Sequence, residues 1–139
     1  ISHLANEFRA QRISVQKLID RNLPLARADR ILLVQVLLNL LGNARDAVQQ
    51  NPAGQRIIKI ATSANEREFM ITVEDNGDGL PGDADEIFDA FVTTKEDGLG
   101  MGLAIAKSIV EAHDGRIFAS SPAGSGALLQ LSIPRKSTE

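Results

Sequence analysis

Glu68-Phe69-Met70-Ile71-Thr72-Val73-Glu74-Asp75, running directly into Asn76-Gly77-Asp78-Gly79, is the stretch on which the fold turns. Phe69, Ile71 and Val73 alternate with Met70, Thr72 and Glu74, the period of a strand with one face on a core. Asp75 falls where that strand ends, and the two glycines behind it let the backbone turn tightly. Asn-Gly and Asp-Gly pairs are also ordinary turn formers, so the segment alone leaves a plain turn open beside a binding role.

Working outward, Arg56 to Ser63 is a second strand, and the polar Asn65-Glu66-Arg67 between the two reads as a hairpin turn. Upstream lies the longest helix, predicted over about Arg30 to Gln50 with Asp29 as its N-cap. Leu33, Leu37, Leu40, Leu41, Ala44 and Val48 recur at spacings of three and four and give it one apolar face, and Asn51-Pro52-Ala53-Gly54 stops it. Ile13 and Val15, alternating with Ser14 and Gln16, read as a short strand before it. Downstream, Asn76 to Gly102 is a long Gly-rich, charged loop broken by a short helical piece around Asp85 to Phe91. Leu103 to Ala112 is helical by pattern, His113-Asp114-Gly115 ends it, and Arg116 to Ser121 with Ala127 to Ile133 form a closing antiparallel pair. The expected class is α+β: a mixed, mostly antiparallel sheet with about three helices on one face.

At 139 residues and 43% hydrophobic, the chain is the size of one domain. It contains no Cys, so a disulfide framework and thiolate metal sites are excluded, and a reducing, cytoplasmic compartment is expected. No apolar run approaches the roughly 20 residues of a membrane span, so no membrane contact by this domain is expected. The opening on Ile1, without an initiator Met, leads to the expectation of a fragment of a longer protein, whose other parts are free to be membrane-bound. Net charge is −3 with Lys and Arg scattered, and there is no Trp or Tyr, so nucleic acid is not an expected partner.

On the long helix, Gln35, Asn39, Asn43 and Asp46 fall within one narrow stripe at 100° per residue, with Gly42 beside it. A solvated polar face is the plain alternative. Uncharged amides in place of Lys and Glu, and a small residue where a ligand can come close, favour a site. Amide oxygens are hard donors suited to Mg²⁺, which is normally shared with substrate phosphates. Asp75 can accept a hydrogen bond from an exocyclic amine such as adenine N6, with Gly77 and Gly79 giving a flat base room. Gly98-Leu99-Gly100-Met101-Gly102-Leu103 leads into a helix, so its backbone N–H groups and the helix dipole suit phosphates. Its GxGxG spacing is not the dinucleotide fingerprint. Lys95 supplies an ammonium for a β- or γ-phosphate, and Thr93 and Thr94 supply hydroxyls, although Lys95 alone would pass for a surface lysine.

Taken in order, Asn39 and Asn43, Asp75 to Gly79, and Gly98 to Leu103 resemble the N, G1 and G2 boxes of the ATP-binding catalytic domain of sensor histidine kinases, within the GHKL superfamily. Phe88-Asp89-Ala90-Phe91-Val92-Thr93-Thr94-Lys95 is similar to the F box between them, and the resemblance covers roughly Arg12 to Pro134. It implies a two-layer sandwich holding ATP between helices and a lid, with Asn43 as the Mg²⁺ ligand, Asn39 beside it and Phe88 and Phe91 anchoring the lid. The short stretch from Gly79 to Gly98 resembles the compact lids of oxygen-sensing and nitrogen-regulatory kinases. Implied partners are the dimerisation and phosphoacceptor domain of the same protein and the receiver domain of a response regulator.

Position 39 discriminates among relatives. Hydrolytic GHKL ATPases and anti-sigma-type serine kinases usually carry a Glu there as a base, whereas a neutral imidazole already presents a lone pair. Asn39 therefore favours a histidine kinase over those two alternatives, and over a nucleotide sensor without transfer activity the intact boxes favour an enzyme. The chain departs from the family pattern in two places. Gly124-Ser125-Gly126 leads to Ala127 where many relatives have Thr, so either Ser125 substitutes or one water contact at the base is lost. The phosphoacceptor His motif is not found here: His3 lacks its acidic neighbour and Pro, and both His3 and His113 are read as non-catalytic, His113 favouring a helix C-terminus.

Overall fold

The computed structural model describes residues 6, 8–18, 27–77, 88, 102–121 and 126–134, with the backbone alone for 27–33 and 102. In chain order the elements are β1 (Ile13–Leu18), α1 (Arg27–Ala47), β2 (Arg56–Ala64), β3 (Glu68–Asp75), α2 (Gly102–Ala112), β4 (Arg116–Ser120) and β5 (Leu128–Pro134). The strands form one five-stranded sheet in the order β1-β2-β3-β5-β4, in which only β1 and β2 run parallel. The mixed, mostly antiparallel α+β architecture is the expected one. Of the short helical piece expected around residues 85–91, only Phe88 is described; it is buried within the core.

Strand parity builds the core. β3 alternates half-buried and buried residues along its whole length, and the buried set is Phe69, Ile71, Val73 and Asp75. Lys17, Ile60, Val73, Leu129 and Ala119 line up across the sheet, as do Thr62, Ile71, Leu131 and Ile117. Because paired residues share a face, Ile60, Val73 and Leu129 present one apolar surface to the helices. α1 packs over β3, α2 packs over β4 and β5, and the two helices pack on each other. Val36, Leu40, Leu41 and Ala44 of α1, with Val48 just past its end, are buried, so the three-and-four spacing is the one used.

The boundaries of α1 differ from the sequence expectation at both ends. It begins at Arg27, so Asp29 lies within its first turn rather than ahead of it as an N-cap, because Arg27 and Ala28 are themselves good helix formers. It ends at Ala47, after which the chain tightens: Gln49 N–H donates to Asp46 C=O at 3.3 Å and Asn51 N–H to Val48 C=O at 3.0 Å. Gly54, at φ 90°, then takes the left-handed turn that a side chain would resist.

Two further turns explain their sequences. Asn65 Oδ1 accepts from the N–H groups of Arg67 and Glu68 at 2.8 and 2.9 Å, closing the β2–β3 hairpin as an Asx turn. At the end of α2, Asp114 N–H donates to Glu111 C=O and Gly115 N–H to Val110 C=O, at 3.0 and 2.9 Å. That is a Schellman motif with Asp114 in the left-handed conformation, φ 61°. Gly115 is required for a different reason: a Cβ there would stand 2.4 Å from the Ser132 carbonyl oxygen.

Candidate functional site

The strand parity that buries Phe69, Ile71 and Val73 carries Asp75 to the same inward face, opposite Ile58 and Val15 at the end of the sheet. Asp75 is 5% exposed and is the one buried charged residue among those described. Its Oδ1 accepts from Gly77 N–H at 2.9 Å and from Ala127 N–H at 3.3 Å, while its own N–H donates to Ala127 C=O at 3.0 Å. Burial penalises the charge and raises the carboxyl above its ordinary value of 3.8; the two backbone N–H groups pull it down, and the neighbouring Glu74 adds to the rise. A carboxylate held by backbone dipoles at the edge of a core is a costly group to keep for stability alone.

Both glycines that touch Asp75's loop are there for close approach. A Cβ on Gly77 would lie 2.2 Å from the Ala47 carbonyl oxygen, and one on Gly126 would lie 2.3 Å from the Asp75 carbonyl oxygen and 2.5 Å from Oδ1. Gly77 thus lets the strand end seat directly on the last turn of α1, a role the sequence reading did not see. Ala127, where relatives of the expected family carry Thr, contributes through its backbone and is 2% exposed.

One turn before Ala47, the polar stripe of α1 faces away from the apolar face. Gln35 is exposed, and Asn39, Gly42, Asn43 and Asp46 are half-buried. Asp46 Oδ1 stands 3.5 Å from Arg45 Nε. A Cβ on Gly42 would meet no atom within 4 Å, so packing gives no reason for a glycine in this helix. No group of three or more His, Asp and Glu suited to a metal occurs among the described residues, and Mg²⁺ ordinarily fills its shell with waters and substrate phosphates beside one or two protein oxygens. The amide oxygens of Asn39 and Asn43 and the Asp46 carboxylate are the right hard donors for that shared arrangement.

α2 begins at Gly102, as the glycine run requires if its leading N–H groups are to meet an anion, and its first turn carries no acidic residue. Leu103 is half-buried against the core. Gly79, Thr93, Thr94, Lys95, Gly98, Leu99, Gly100 and Met101 lie outside the described residues, as do Phe91 and the compact lid. His113 lies at the end of α2, with Nδ1 2.8 Å from the Ile109 carbonyl oxygen.

Sequence reasoning missed Asn51, Arg56 and Asn76. Asn76 Oδ1 accepts from Ile57 N–H at 2.9 Å and its Nδ2 donates to Gln55 C=O at 2.8 Å, while Asn51 Nδ2 donates to Asn76 C=O at 2.8 Å. Arg56 donates to the carbonyl oxygens of Asn51, Gln11 and Gln49 at 3.0, 2.7 and 3.2 Å. Arg56 reaches Asn51 and Gln49 within its own turn, whereas its bond to Gln11 and those of Asn76 join segments far apart in the chain.

Known proteins share this fold. The sensor protein FixL of Bradyrhizobium diazoefficiens is 39% identical over 129 residues, 91% of this chain and 25% of that protein. The chain spans 13% to 34% of the lengths of such curated relatives, which are sensor kinases of larger size. The nucleotide-free catalytic domain of histidine kinase ThkA superposes with a TM-score of 0.81 at 29% identity, covering 96% of this chain and 86% of that one. ThkA in complex with the response regulator TrrA aligns with a TM-score of 0.78 at 27% identity, over 97% of this chain and 38% of that one. Full-length ShkA in complex with AMPPNP aligns with a TM-score of 0.80 at 27% identity, over 99% of this chain and 29% of that one. Residues 28–137 match the family described as histidine kinase-, DNA gyrase B- and HSP90-like ATPases, and the chain belongs to that family.

Proposed function

We propose that this chain is the ATP-binding catalytic domain of a protein histidine kinase, working as one domain with its core at about residues 12–134 within a longer signalling protein. The observation that carries the reading is Asp75: a buried carboxylate, fixed by two backbone N–H groups on Oδ1, at a sheet end that seats on the helix bearing Asn39 and Asn43. Its second oxygen would accept from the adenine amine, with Gly77 and Gly79 the residues that would leave room for a flat base. Asn43, with Asn39 and Asp46 near it, would hold Mg²⁺ jointly with the phosphates, and the ion would supply charge neutralisation there. Lys95, Thr93 and Thr94, together with the backbone from Gly98 through Leu99, Gly100, Met101 and Gly102 to Leu103, would bind the phosphate chain.

The chain's part in the reaction is placement and charge compensation. A neutral imidazole nitrogen on the dimerisation and phosphoacceptor domain attacks the γ-phosphorus; the bond to the β–γ bridging oxygen breaks, and ADP leaves with its electron pair. Lys95 would compensate the charge that moves onto that oxygen, Asn43 would act by holding the ion, and Asn39 supplies no base because the imidazole lone pair needs none. The phosphoryl group then passes to an Asp on the receiver domain of a response regulator. Such a domain works in the cytoplasm; no helix among the described residues is long and apolar enough to cross a membrane.

The test is incubation with γ-labelled ATP, with and without a dimerisation domain from a related kinase, followed by acid. The reading expects no rapid phosphate release by the chain alone and acid-labile label on the added domain. Acid-stable label on this chain, or fast hydrolysis without a partner, would replace it with a serine kinase or an ATPase.

A further inference from the structure

Three consecutive residues at the end of β3 point three ways. Asp75 faces the candidate base site, Gly77 lies on the Ala47 carbonyl of α1, and Asn76 turns back into a polar knot. In that knot Asn76 Oδ1 accepts from Ile57 N–H at 2.9 Å and from Asn51 Nδ2 at 3.1 Å, and the Asn76 carbonyl accepts from Asn51 Nδ2 at 2.8 Å. Asn51 belongs to the turn that leaves α1, and Arg56 Nε holds its carbonyl at 3.0 Å. The other two contacts of the Arg56 guanidinium, Gln49 C=O at 3.2 Å and Gln11 C=O at 2.7 Å, tie the same turn to the segment before β1. The C-terminal turn of α1 is therefore tied to the strand end that carries Asp75, and Asn43 lies one turn back along the same rigid helix.

We propose that Asn51 is a positioning residue, which through Asn76 sets where the Asn39–Asn43 stripe stands relative to Asp75, and so makes the phosphate end and the base end of one nucleotide bind together. The inference rests on the reading of the site given above. Neither amide reaches a ligand in it; each acts through the backbone it holds.

The experiment compares two ligands, adenosine and Mg²⁺-ATP, on wild type and on Asn51→Ala. Adenosine touches only the Asp75 end, whereas Mg²⁺-ATP must engage both ends. If Asn51 sets their spacing, Asn51→Ala leaves the adenosine Kd within about twofold and weakens Mg²⁺-ATP by about tenfold, so the ratio of the two constants changes. Gln49→Ala is the control: Gln49 sits in the same turn and bonds Gln11 and the Arg45 carbonyl without reaching β3, and it leaves the ratio unchanged. A merely structural role lowers both affinities by one factor, the fraction unfolded, and that result overturns the proposal, as does an unchanged ratio. Asn51→Ser, read at a temperature well below its melting point, decides in the same way should the alanine variant be too unstable to titrate. Wild-type protein that binds adenosine and Mg²⁺-ATP equally would instead overturn the reading of the site, and this inference with it.

Discussion

Asp75 and Asn43 are the two polar residues on which the proposed site depends, and different parts of the fold set their places. Asp75 lies on the inward face of a central strand, with backbone N–H groups on its Oδ1 and glycines pressed against its loop. Asn43 is half-buried on the open side of α1, and its place is set by Leu40, Leu41, Ala44 and Val48 packing on the other side of the helix. At the first position backbone N–H groups fix the side chain itself; at the second the packed face of α1 sets where the residue stands. Changes near Asp75 should therefore disturb fold and binding together, and changes on the stripe should separate them.

The largest effect is expected from Gly77→Ala. Its Cβ would meet the Ala47 carbonyl oxygen at 2.2 Å, backbone against backbone, so α1 or the strand end must move. A loss of about 3 kcal/mol, the upper part of the range for overpacking, should appear in denaturant unfolding together with loss of Mg²⁺-ATP binding. A variant with wild-type stability would show that this junction is soft, and the contrast would fail.

Asp75→Asn should break the contrast within one residue. The amide oxygen can still accept from Gly77 and Ala127, but the second atom becomes a donor facing the adenine amine, so ATP affinity should fall by about 1.5 to 3 kcal/mol in calorimetry. Stability should behave differently. Burial raises the folded Asp75 carboxyl above 3.8, so its favourable contribution is complete below that value and is lost as pH rises through the folded value. Relative to wild type, the apo Asn variant should therefore gain stability as pH rises through that window and hold the gain at neutral pH. Wild-type ATP affinity should fall as pH drops through the same window, because protonation removes the acceptor. An apo variant less stable at neutral pH than at pH 3 relative to wild type would reverse the sign and contradict the assignment.

Asn43→Ala should leave apo unfolding within about 1 kcal/mol of wild type while abolishing the extra thermal stabilisation that Mg²⁺ adds to ATP. A much less stable apo protein would make Asn43 structural. The smallest expected effect is that of Gly42→Ala. With no atom within 4 Å of the new Cβ, the helix should gain up to about 1 kcal/mol in the apo chain, and Mg²⁺-ATP should bind more weakly if ligand comes close there. Tighter binding would move the ligand away from this face.

What the sequence revealed follows the same division. The period of two over Glu68 to Val73 carries forward to Asp75, so its inward face was legible from parity, and the spacing of Leu40, Leu41, Ala44 and Val48 fixed which side of α1 is polar. The start of α1 was misplaced because Asp29 satisfies a capping pattern that the helix, begun two residues earlier, does not use. Gly77 was read as room for a base, yet the described contact is with Ala47, thirty residues away in the chain. Asn51, Arg56 and Asn76 are ordinary turn and surface types in a linear reading, and it takes the pairing of β2 with β3 to bring Asn76 beside the turn that Asn51 and Arg56 share.

The most direct test of the site as a whole is calorimetric titration of the wild-type chain with ATP and with GTP, each with and without Mg²⁺. A carboxylate at Asp75 would accept from the amine of adenine and repel the carbonyl that guanine presents in its place, so ATP should bind at least about tenfold more tightly than GTP, and Mg²⁺ should strengthen ATP further. Equal affinities for the two nucleotides, unaffected by Mg²⁺, would contradict the account.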